Sequence, residues 1–472
     1  MQSDGRTVAQ VTEKGVEEVS TVKWTIGMAV LAICAYPATA QESIQTAFNY
    51  NLADCACEEP SCDVGQSSCC CEEPACCCEE PSCGCDNGCC DNCGCGGGGS
   101  SLFGDCCLGD PCVLQEELQP CCDRTHAYGG WASFGYYTDN ERLSADDGDE
   151  FAFNDFPDHL NLDQAWLYFE KVAEADDCSA DWGYRYDIMY GAQAHAAQSY
   201  GNPRALDGPN LGAWDASLDH GVYGWAMPQA YGEVAFGDWS VKAGHWFTPV
   251  GYEVIPANGN FFYSHTLTHY NSEPFTHTGV LGTYSASDKV ALSTGWALGW
   301  DTGFEQFDGG NIFVGGVTYT PSDDVTLIYM VTAGNLGWKS GGEEGFSHHF
   351  VGIADISENT QWVLQHDYLK TNGVLGDDDF EDEDKGLTNY LFYTLNDCWK
   401  LGARVEWWRT NILTGNQASF YDMTYGLNYW AHANVVVRPE IRYDWTPSDE
   451  AVDSVIEDYN QLSFSIDCVM TY

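Results

Sequence analysis

The sequence predicts an all-β fold: a closed antiparallel transmembrane β-barrel of about sixteen strands, preceded by a disordered Cys-rich N-terminal extension. Three observations predict it. Aromatic residues and glycine are abundant, with 27 Tyr, 21 Phe, 17 Trp and 50 Gly among 472 residues, whereas charged residues make up only 19%. Segments of about ten residues alternate large apolar with polar or small side chains, as barrel strands do. The cysteines are concentrated ahead of these segments.

Residues 1–40 have the pattern of a signal peptide. Lys23 precedes the apolar run Thr25–Tyr36, and the small residues of Pro37–Ala40 follow it. The run has the length of a signal-peptide core but is too short for a membrane-spanning helix, which needs roughly 20 apolar residues. We therefore expect export, with cleavage between Ala40 and Gln41; an uncleaved anchor helix is the alternative.

Residues 41–123 form a low-complexity segment in which covalent or metal cross-links must provide any order. Twenty of the 24 cysteines lie between Cys55 and Cys122, and three copies of Cys-Glu-Glu-Pro-(Ser/Ala)-Cys begin at Cys57, Cys71 and Cys78. Almost no aliphatic residue is present to build a core. A disulfide-linked tether suits an exported chain. A metallothionein-like thiolate cluster and intermolecular cross-linking to an envelope layer are the alternatives.

Residues 124–472 carry the period-2 alternation of strands with two unlike faces. It is clearest at residues 181–190, 290–300, 399–408 and 421–429, where aromatic and aliphatic side chains alternate with polar or small ones. A soluble β-sandwich array is the alternative. Tryptophans at the segment ends are expected to form the aromatic girdles of a membrane barrel, in three pairs: Trp239 and Trp246, Trp296 and Trp300, Trp407 and Trp408.

Turn residues separate the predicted strands. The candidate turns are Pro321–Asp324, Ser357–Asn359, Asn396–Asp397 and Pro447–Asp449. The last predicted strand ends on Tyr472. A terminal aromatic of this kind resembles the signal by which barrel-insertion machinery recognises its substrates, so this machinery is an expected partner.

Three stretches resemble the OmpL-like β-barrel porin family of bacterial outer membranes, as found in planctomycetes. They are Gly244–Glu253, Asn260–Ser264 and Glu273–Gly279, and Leu160–Lys171 is similar to an early strand of that family. The resemblance covers about Tyr128 to Tyr472. It implies a pore rather than an enzyme, located in the outer membrane, surrounded by lipid and open to small hydrophilic solutes or cations.

Charged residues at alternate positions between apolar neighbours should face the barrel interior. A lipid-facing arginine at mid-depth would cost roughly 2–4 kcal/mol, which favours the inward direction. The candidates for pore lining and selectivity are Arg185, Asp187, Lys242, Arg404, Glu406, Arg438, Glu440, Arg442 and Asp444. They could set a transverse field across a water-filled lumen, or form salt bridges that brace the wall.

The segment Thr248–Ser272 is too long for a tight hairpin and is rich in aromatic residues. It could fold into the lumen and narrow the pore, or pack as an ordered loop on the rim. In the first case the candidate constriction residues are Tyr252, Glu253, Phe261 and Tyr263.

The sequence gives only weak indications of metal binding, calcium binding or enzyme activity. His265, His269, Glu273 and His277 have no frame that would hold a metal ion, so ordinary polar packing is expected. The acidic run Asp377–Asp384 does not match a calcium loop and is expected to be a solvated loop, with weak cation binding as the alternative. Neither a nucleophile elbow nor a phosphate-binding glycine loop is present, so we expect neither enzyme activity nor a cofactor.

The charge balance excludes nucleic acid as a partner, because the formal net charge is −53. Only 19 of the 71 acidic and 3 of the 18 basic residues precede Asp123, so residues 123–472 carry −37. A negative barrel predicts cation preference. The alternative function is a structural envelope protein, in which a plugged barrel anchors a cross-linked Cys-rich segment. A homo-oligomer is compatible with either function.

Overall fold

The computed structural model describes residues 106, 108–115, 125–138, 153, 156–174, 179–201, 214–215, 218–373, 381–411, 417–447 and 461–472. The predicted signal peptide and nearly all of the Cys-rich extension lie outside the described residues. The predicted disorder of that extension and residues 377–380 of the acidic run lie outside them as well. The prediction of a solvated loop is wrong for the end of that run, because β12 begins at Asp382, and the side chains of Asp382 and Asp384 are 0% exposed.

Among the described residues, sixteen strands form one closed antiparallel barrel, which confirms the predicted fold. Each strand pairs with its neighbours in sequence, and β1 pairs with β16 to close the sheet. The strands are β1 (Ala127–Tyr137), β2 (Asn161–Lys171), β3 (Ala180–Gly191), β4 (Gly224–Phe236), β5 (Trp239–Phe247), β6 (Thr276–Ser287), β7 (Val290–Ala297), β8 (Asn311–Ser322), β9 (Val325–Asn335), β10 (Glu344–Ser357), β11 (Thr360–Thr371), β12 (Asp382–Asn396), β13 (Trp399–Thr410), β14 (Ala418–His432), β15 (Val435–Trp445) and β16 (Gln461–Thr471).

Two short α-helices lie in connections between strands. Helix α1 (Ala194–Ala197) follows β3, and α2 (Leu267–Ser272) lies between β5 and β6. Single 3-10 turns occur at Ala257–Gly259 and Gly337–Ser340. No helix in the described part of the chain is long and apolar enough to cross a membrane.

The two ends of the barrel differ in the length of their connections. At one end, two-residue turns join β4 to β5, β6 to β7, β8 to β9, β10 to β11, β12 to β13 and β14 to β15. Three predicted turns lie there, at β8–β9, β10–β11 and β12–β13, whereas the fourth, at Pro447, begins the long β15–β16 connection. The first strand begins and the last strand finishes at the short-turn end, which therefore also receives the N-terminal extension.

The alternation of side chains follows the predicted parity. In the middle of β13, Val405 is 42% exposed on the outer surface, while Arg404 and Glu406 on either side of it are 0% exposed inside the barrel. Successive residues of a strand point to opposite faces, so a local pattern is sufficient to assign each one. An apolar exterior and a polar interior follow from this parity.

Of the six tryptophans predicted to form the aromatic girdles, three point into the barrel, and for these three the prediction is wrong. Trp239, Trp296 and Trp407 lie on the outer face, but Trp246, Trp300 and Trp408 are 0% exposed inside the barrel. Two of these indoles find hydrogen-bond partners inside: the Trp408 Nε1–H donates to Ser272 Oγ at 2.9 Å, and the Trp300 Nε1–H donates to Thr332 Oγ1 at 3.0 Å. Among the described residues the Trp246 nitrogen has no such partner, and its ring lies against His277 at a centroid distance of 5.2 Å. Trp300 also lies beyond β7, which ends at Ala297.

A disulfide attaches the N-terminal extension to the short-turn end. Cys106 is bonded to Cys398 in the turn between β12 and β13. The chain then passes the β14–β15 turn, where the Ala433 amide donates to Leu108 O at 3.0 Å. Asn434 bonds both the amide and the carbonyl of Cys112. Residues 108–115 of the Cys-rich segment therefore lie along this rim of the barrel.

Peptide mapping should detect this bond. Because residues 41–123 contain no Lys or Arg, trypsin leaves them in one peptide that ends at Arg124. In denatured, alkylated, unreduced protein, the peptide Gly386–Lys400 should be linked to it, and cleavage after Phe103 should leave that link intact. The substitution Cys398→Ser should free the peptide, whereas Cys468→Ser should not, because Cys468 is unpaired. A free Gly386–Lys400 peptide in the unreduced wild type would contradict the bond.

Candidate functional site

The long connection between β5 and β6 lies inside the barrel, and we call residues 248–275 the inner loop. The order of the strands places β13 and β14 diametrically opposite β5 and β6. The inner loop crosses to that wall, and its residues contact strands whose sequence positions are more than 130 residues away. Of the two alternatives left open by the sequence, the structure has the loop in the lumen rather than on the rim.

Arg404 on β13 holds the middle of the inner loop. Its guanidinium donates to Glu253 Oε1 at 3.0 Å, Ser264 O at 2.7 Å and His265 O at 3.3 Å. On the wall side it lies 3.5 Å from Asp422 Oδ1. One fully buried cation thus binds two carboxylates and two loop carbonyls. Breaking a buried pair of this kind costs about 3–5 kcal/mol, since a charge remains uncompensated.

Two wall carboxylates accept hydrogen bonds from loop amides. Glu406 Oε2 and Oε1 accept from the Leu267 and Thr268 amides at 2.7 and 2.8 Å. Glu440 accepts from the Tyr263 and Ser264 amides at 2.9 and 3.0 Å. Both carboxylates are almost completely buried. Amide donors that would otherwise be orphaned by burial are satisfied in this way.

Two further arginines bind loop carbonyls. Arg438 donates to Ala257 O at 2.8 Å and forms a bidentate pair with Asp467. Arg442 donates to the His265 carbonyl. Its partner on the wall is Asp444, at 2.8 Å, on the same strand. Together with Arg404, these residues make the β13–β15 wall a docking surface for the inner loop.

The other three charged residues predicted to line the pore lie on β3 and β5, away from the β13–β15 wall. Arg185 pairs with Glu170 at 2.6 Å and with Asp187 on its own strand. Lys242 lies over two inward rings, 5.2 Å from the centroid of Tyr231 and 5.9 Å from that of Trp246. All nine predicted charged residues are therefore inside the barrel. The structure does not bring them together: six line the β13–β15 wall under the inner loop, and three lie on β3 and β5.

Apolar packing holds the inner loop as well. Phe261 packs against Phe262 and Phe392 at centroid distances of 4.8 and 4.9 Å. It covers Gly402, where an added Cβ would lie 2.2 Å from the ring. The cluster around them is Val250, Tyr252, Phe261, Phe262, Ile328, Met330, Val351, Val363, Tyr390 and Phe392.

The opposite side of the inner loop contacts β2. Gln164 donates to Ile255 O at 2.8 Å and accepts from the Ala257 amide at 2.9 Å. Tyr263 donates its hydroxyl proton to Asp163 Oδ2 at 3.0 Å. The four predicted constriction residues, Tyr252, Glu253, Phe261 and Tyr263, all lie buried in the lumen. The inner loop therefore touches the wall on both sides of the lumen.

Glu253 is the electrostatic centre of the inner loop. Burial alone would raise the pKa of Glu253, but the Arg404 guanidinium and the hydrogen bond with His265 hold that pKa well below its ordinary value. Burial lowers the pKa of His265, against the opposing effect of Glu253. The Tyr390 hydroxyl also donates to Glu253, at 3.0 Å. Glu253 is thus an anion held by Arg404, and His265 is a neutral partner.

The interior is strongly acidic. Among the described residues, fourteen Asp and Glu side chains are buried, one of them (Asp238) in the β4–β5 turn, against four Lys and Arg, while Arg185 and Lys242 also point inward but are only half-buried. Several carry functional contacts that sequence reasoning missed, including Asp163, Asp422 and Asp467. Strand parity was the available signal for Asp422 and Asp467, which have the inward parity of their strands. Asp163 has the parity of the exposed Leu167 and Phe169, and it is buried because the β1–β2 pairing has an irregularity there. What parity could not provide was the partner, because the bonded residues lie far away in the chain.

Comparison with known protein families finds one family that matches most of the chain. The family described as "Putative beta-barrel porin-2, OmpL-like" matches residues 126–472. No curated protein sequence matches the chain.

Solved structures give the fold. The outer membrane channel DcaP of Acinetobacter baumannii is 10% identical, with a TM-score of 0.51 over 74% of this chain and 97% of that one. OmpT of Vibrio cholerae, described in a trimer form, is 13% identical, with a TM-score of 0.46 over 74% of this chain and 99% of that one. The anion-selective porin of Comamonas acidovorans is 9% identical, with a TM-score of 0.45 over 74% and 99%.

Proposed function

Since the chain belongs to the OmpL-like β-barrel porin family, we propose that it is a bacterial outer-membrane porin through which small hydrophilic solutes diffuse passively, cations in preference to anions. The observation that carries the proposal is a closed sixteen-strand barrel with an apolar exterior and one long loop folded into its lumen. Diffusion through a lumen needs water-compatible walls, and a loop that narrows the lumen sets a size limit. Transport of this kind involves no catalytic residues.

The proposed preference for cations rests on charge. The excess of buried carboxylates over buried cations gives the interior a negative potential, which low-dielectric walls strengthen. In this proposal Tyr252, Glu253, Phe261 and Tyr263 form the constriction. Arg404, Glu406, Arg438, Glu440, Arg442 and Asp444 hold it in place, and Arg185, Asp187 and Lys242 shape the field along β3 and β5.

The orientation follows from the connections. In bacterial outer-membrane barrels the short turns face the periplasm. The short-turn end would then place Cys106 and the extension in the periplasm, outside the lumen. Outer-membrane lipid would surround the apolar exterior, and insertion machinery would engage the β16 strand that ends near Tyr472. Assembly into a homo-oligomer stays a prediction.

Planar-bilayer recording of the purified, refolded full chain tests the proposal. We expect stable single-channel steps and, in a potassium chloride gradient, a reversal potential of the sign that cation selectivity produces. A reversal potential that favours chloride would contradict the cation preference. Protein whose folding is verified by heat-modifiable gel mobility but which gives no steps would contradict the porin itself.

One observation favours a second function. The Cys106–Cys398 disulfide joins the Cys-rich segment covalently to the barrel, as expected of a protein that anchors a cross-linked envelope layer. The two functions differ in a measurable way. An anchor with a plugged lumen gives no conductance, and its Cys-rich segment should appear in reducible, high-mass species on gels of cell envelopes.

A further inference from the structure

A second cluster of ionisable groups lies between the inner loop and the β10–β11 wall. Glu273 follows helix α2 in the loop, His349 lies on β10 and Asp367 lies on β11. One potential ligand atom from each of these three residues lies within 4.8 Å of the other two. All three side chains are buried, at 4%, 1% and 0% exposure. Three donors from separate parts of the chain thus converge on one small volume.

The negative charge of this cluster has no Lys or Arg partner among the described residues. Gln365 donates its amide protons to both Glu273 and Asp367, the latter at 2.8 Å. The Tyr252 amide bonds Gln365 Oε1 at 3.0 Å, which fixes the direction of the amide group. A neutral amide cannot balance two carboxylates.

Two histidines contact these carboxylates through their ring nitrogens. Asp367 Oδ1 lies 2.7 Å from His349 Nδ1, and the other ring nitrogen of His349 lies 2.8 Å from Ser347 Oγ. His269 Nδ1 is 3.1 Å from Glu273 Oε2. The second nitrogen, His269 Nε2, has no hydrogen-bond partner in the described part of the chain, and it is buried, since the residue is only 3% exposed. The three donor atoms that lie close together belong to Glu273, His349 and Asp367, and His269 contacts this group through Glu273.

We propose that Glu273, His349 and Asp367 bind one divalent transition-metal ion of the zinc class as its three protein ligands, with His269 Nδ1 supporting Glu273 from beside the site. Mixed imidazole and carboxylate donors suit zinc-class ions, whereas calcium and magnesium prefer oxygen donors alone. Zinc bonds to these donors are about 2.0–2.2 Å long, so the donor atoms need to approach by about an ångström or less. The polar contact of Ser347 on the second ring nitrogen of His349 is the usual support of a metal-binding imidazole.

The position of the cluster gives the ion a structural role. Glu273 belongs to the inner loop, whereas His349 and Asp367 belong to the barrel wall. A bound ion would therefore fasten the return half of the inner loop to β10 and β11. The arginine contacts fasten its middle to β13–β15, so the ion would add a second, separate attachment. Metal binding does not depend on whether the barrel conducts, so this inference and the porin function can fail separately.

Calorimetric titration of the refolded full chain with zinc tests the site. Free thiols are alkylated first, because cysteines of the extension would also bind zinc. We expect one tightly bound zinc ion per barrel, with affinity at least about tenfold weaker in His349→Gln and in Asp367→Asn. The matched control is His366→Gln, since His366 lies on the outer face of β11 beside Asp367. This variant should bind zinc like the wild type.

Each result of this titration either supports or overturns the proposed zinc site. Unchanged affinity in His349→Gln would overturn the site, and so would loss of binding in His366→Gln, because His348 and His366 stack at 5.5 Å on the outer surface. Binding of magnesium in place of zinc would overturn the ion class. Heat-modifiable mobility verifies the folding of each variant. Should a wall variant fail to fold, Glu273→Gln changes only the loop and should weaken zinc binding to the same degree.

Discussion

Replacing Arg404 with glutamine is expected to release the inner loop. The substitution leaves the buried carboxylates of Glu253 and Asp422 without their shared cation, which costs about 3–5 kcal/mol. The loop should then open without unfolding of the barrel, because the strands keep their backbone hydrogen bonds. Chymotrypsin, which cuts after Tyr252 and Phe261, should cleave the native variant roughly 100-fold faster or more, since each 1.4 kcal/mol corresponds to about a factor of ten.

Conductance gives the second measurement for this variant. A released loop should produce larger and noisier single-channel steps than the wild type. The matched control is Arg409→Gln, on the same strand but on its outer face, where Arg409 bonds Gln417 at 3.0 Å. That variant should retain protease resistance and step size. An Arg404→Gln protein with a fully protected loop and unchanged steps would show that Arg404 does not anchor the loop.

Replacing Gly402 with leucine should displace the inner loop by steric overlap, without changing any charge. A Cβ at this position would lie 2.2 Å from Phe261 Cε1. The Phe261 ring is held by Phe262 and Phe392, so it has little room to move. Overpacking of this kind costs about 1–3 kcal/mol. We expect faster chymotryptic cleavage of the loop and a lower midpoint of thermal unfolding.

The control for the steric experiment is Gly352→Leu, on the outer face of β10. There an added Cβ would be 3.5 Å from its nearest neighbour, an ordinary van der Waals contact with Leu327. This variant should behave like the wild type in both assays. Equal sensitivity of the two glycine variants would mean that the effect comes from strand propensity and not from contact with the inner loop.

Much of the fold could be predicted from local pattern. A strand residue points to one face or the other according to its parity, so Val405 and its neighbours could be assigned without knowing any partner. Trp408 shows which of two sequence signals is the stronger. Its position in the alternation of β13 matches that of the inward Arg404 and Glu406, whereas the general preference of tryptophan for membrane interfaces predicts an outward side chain. Parity was the better guide, because the inward indole bonds Ser272.

The candidate site was predicted less completely. The sequence indicated which charged residues lie inside, but left open whether they line water or brace the wall. In the structure Arg404, Arg438 and Arg442 form salt bridges with wall carboxylates, as one alternative had it, and they also bind carbonyls of the inner loop. Cys398 is a similar case. The sequence contained many possible partners for it, and only the folded chain brings Cys106 to the β12–β13 turn.

The sequence by itself determined the all-β class, the faces of most strand residues and the acidic balance, because these depend on composition and short-range alternation. It also indicated the porin family, through particular stretches that resemble that family. Only the tertiary structure decided where the inner loop lies, what its charged partners are and which groups surround Glu273. Those features join residues that are far apart in the chain, such as Gln365 and Glu273, 92 positions apart, and Ser264 and Arg404, 140 positions apart. Contacts at that separation exist only after the barrel closes, and no local pattern encodes them.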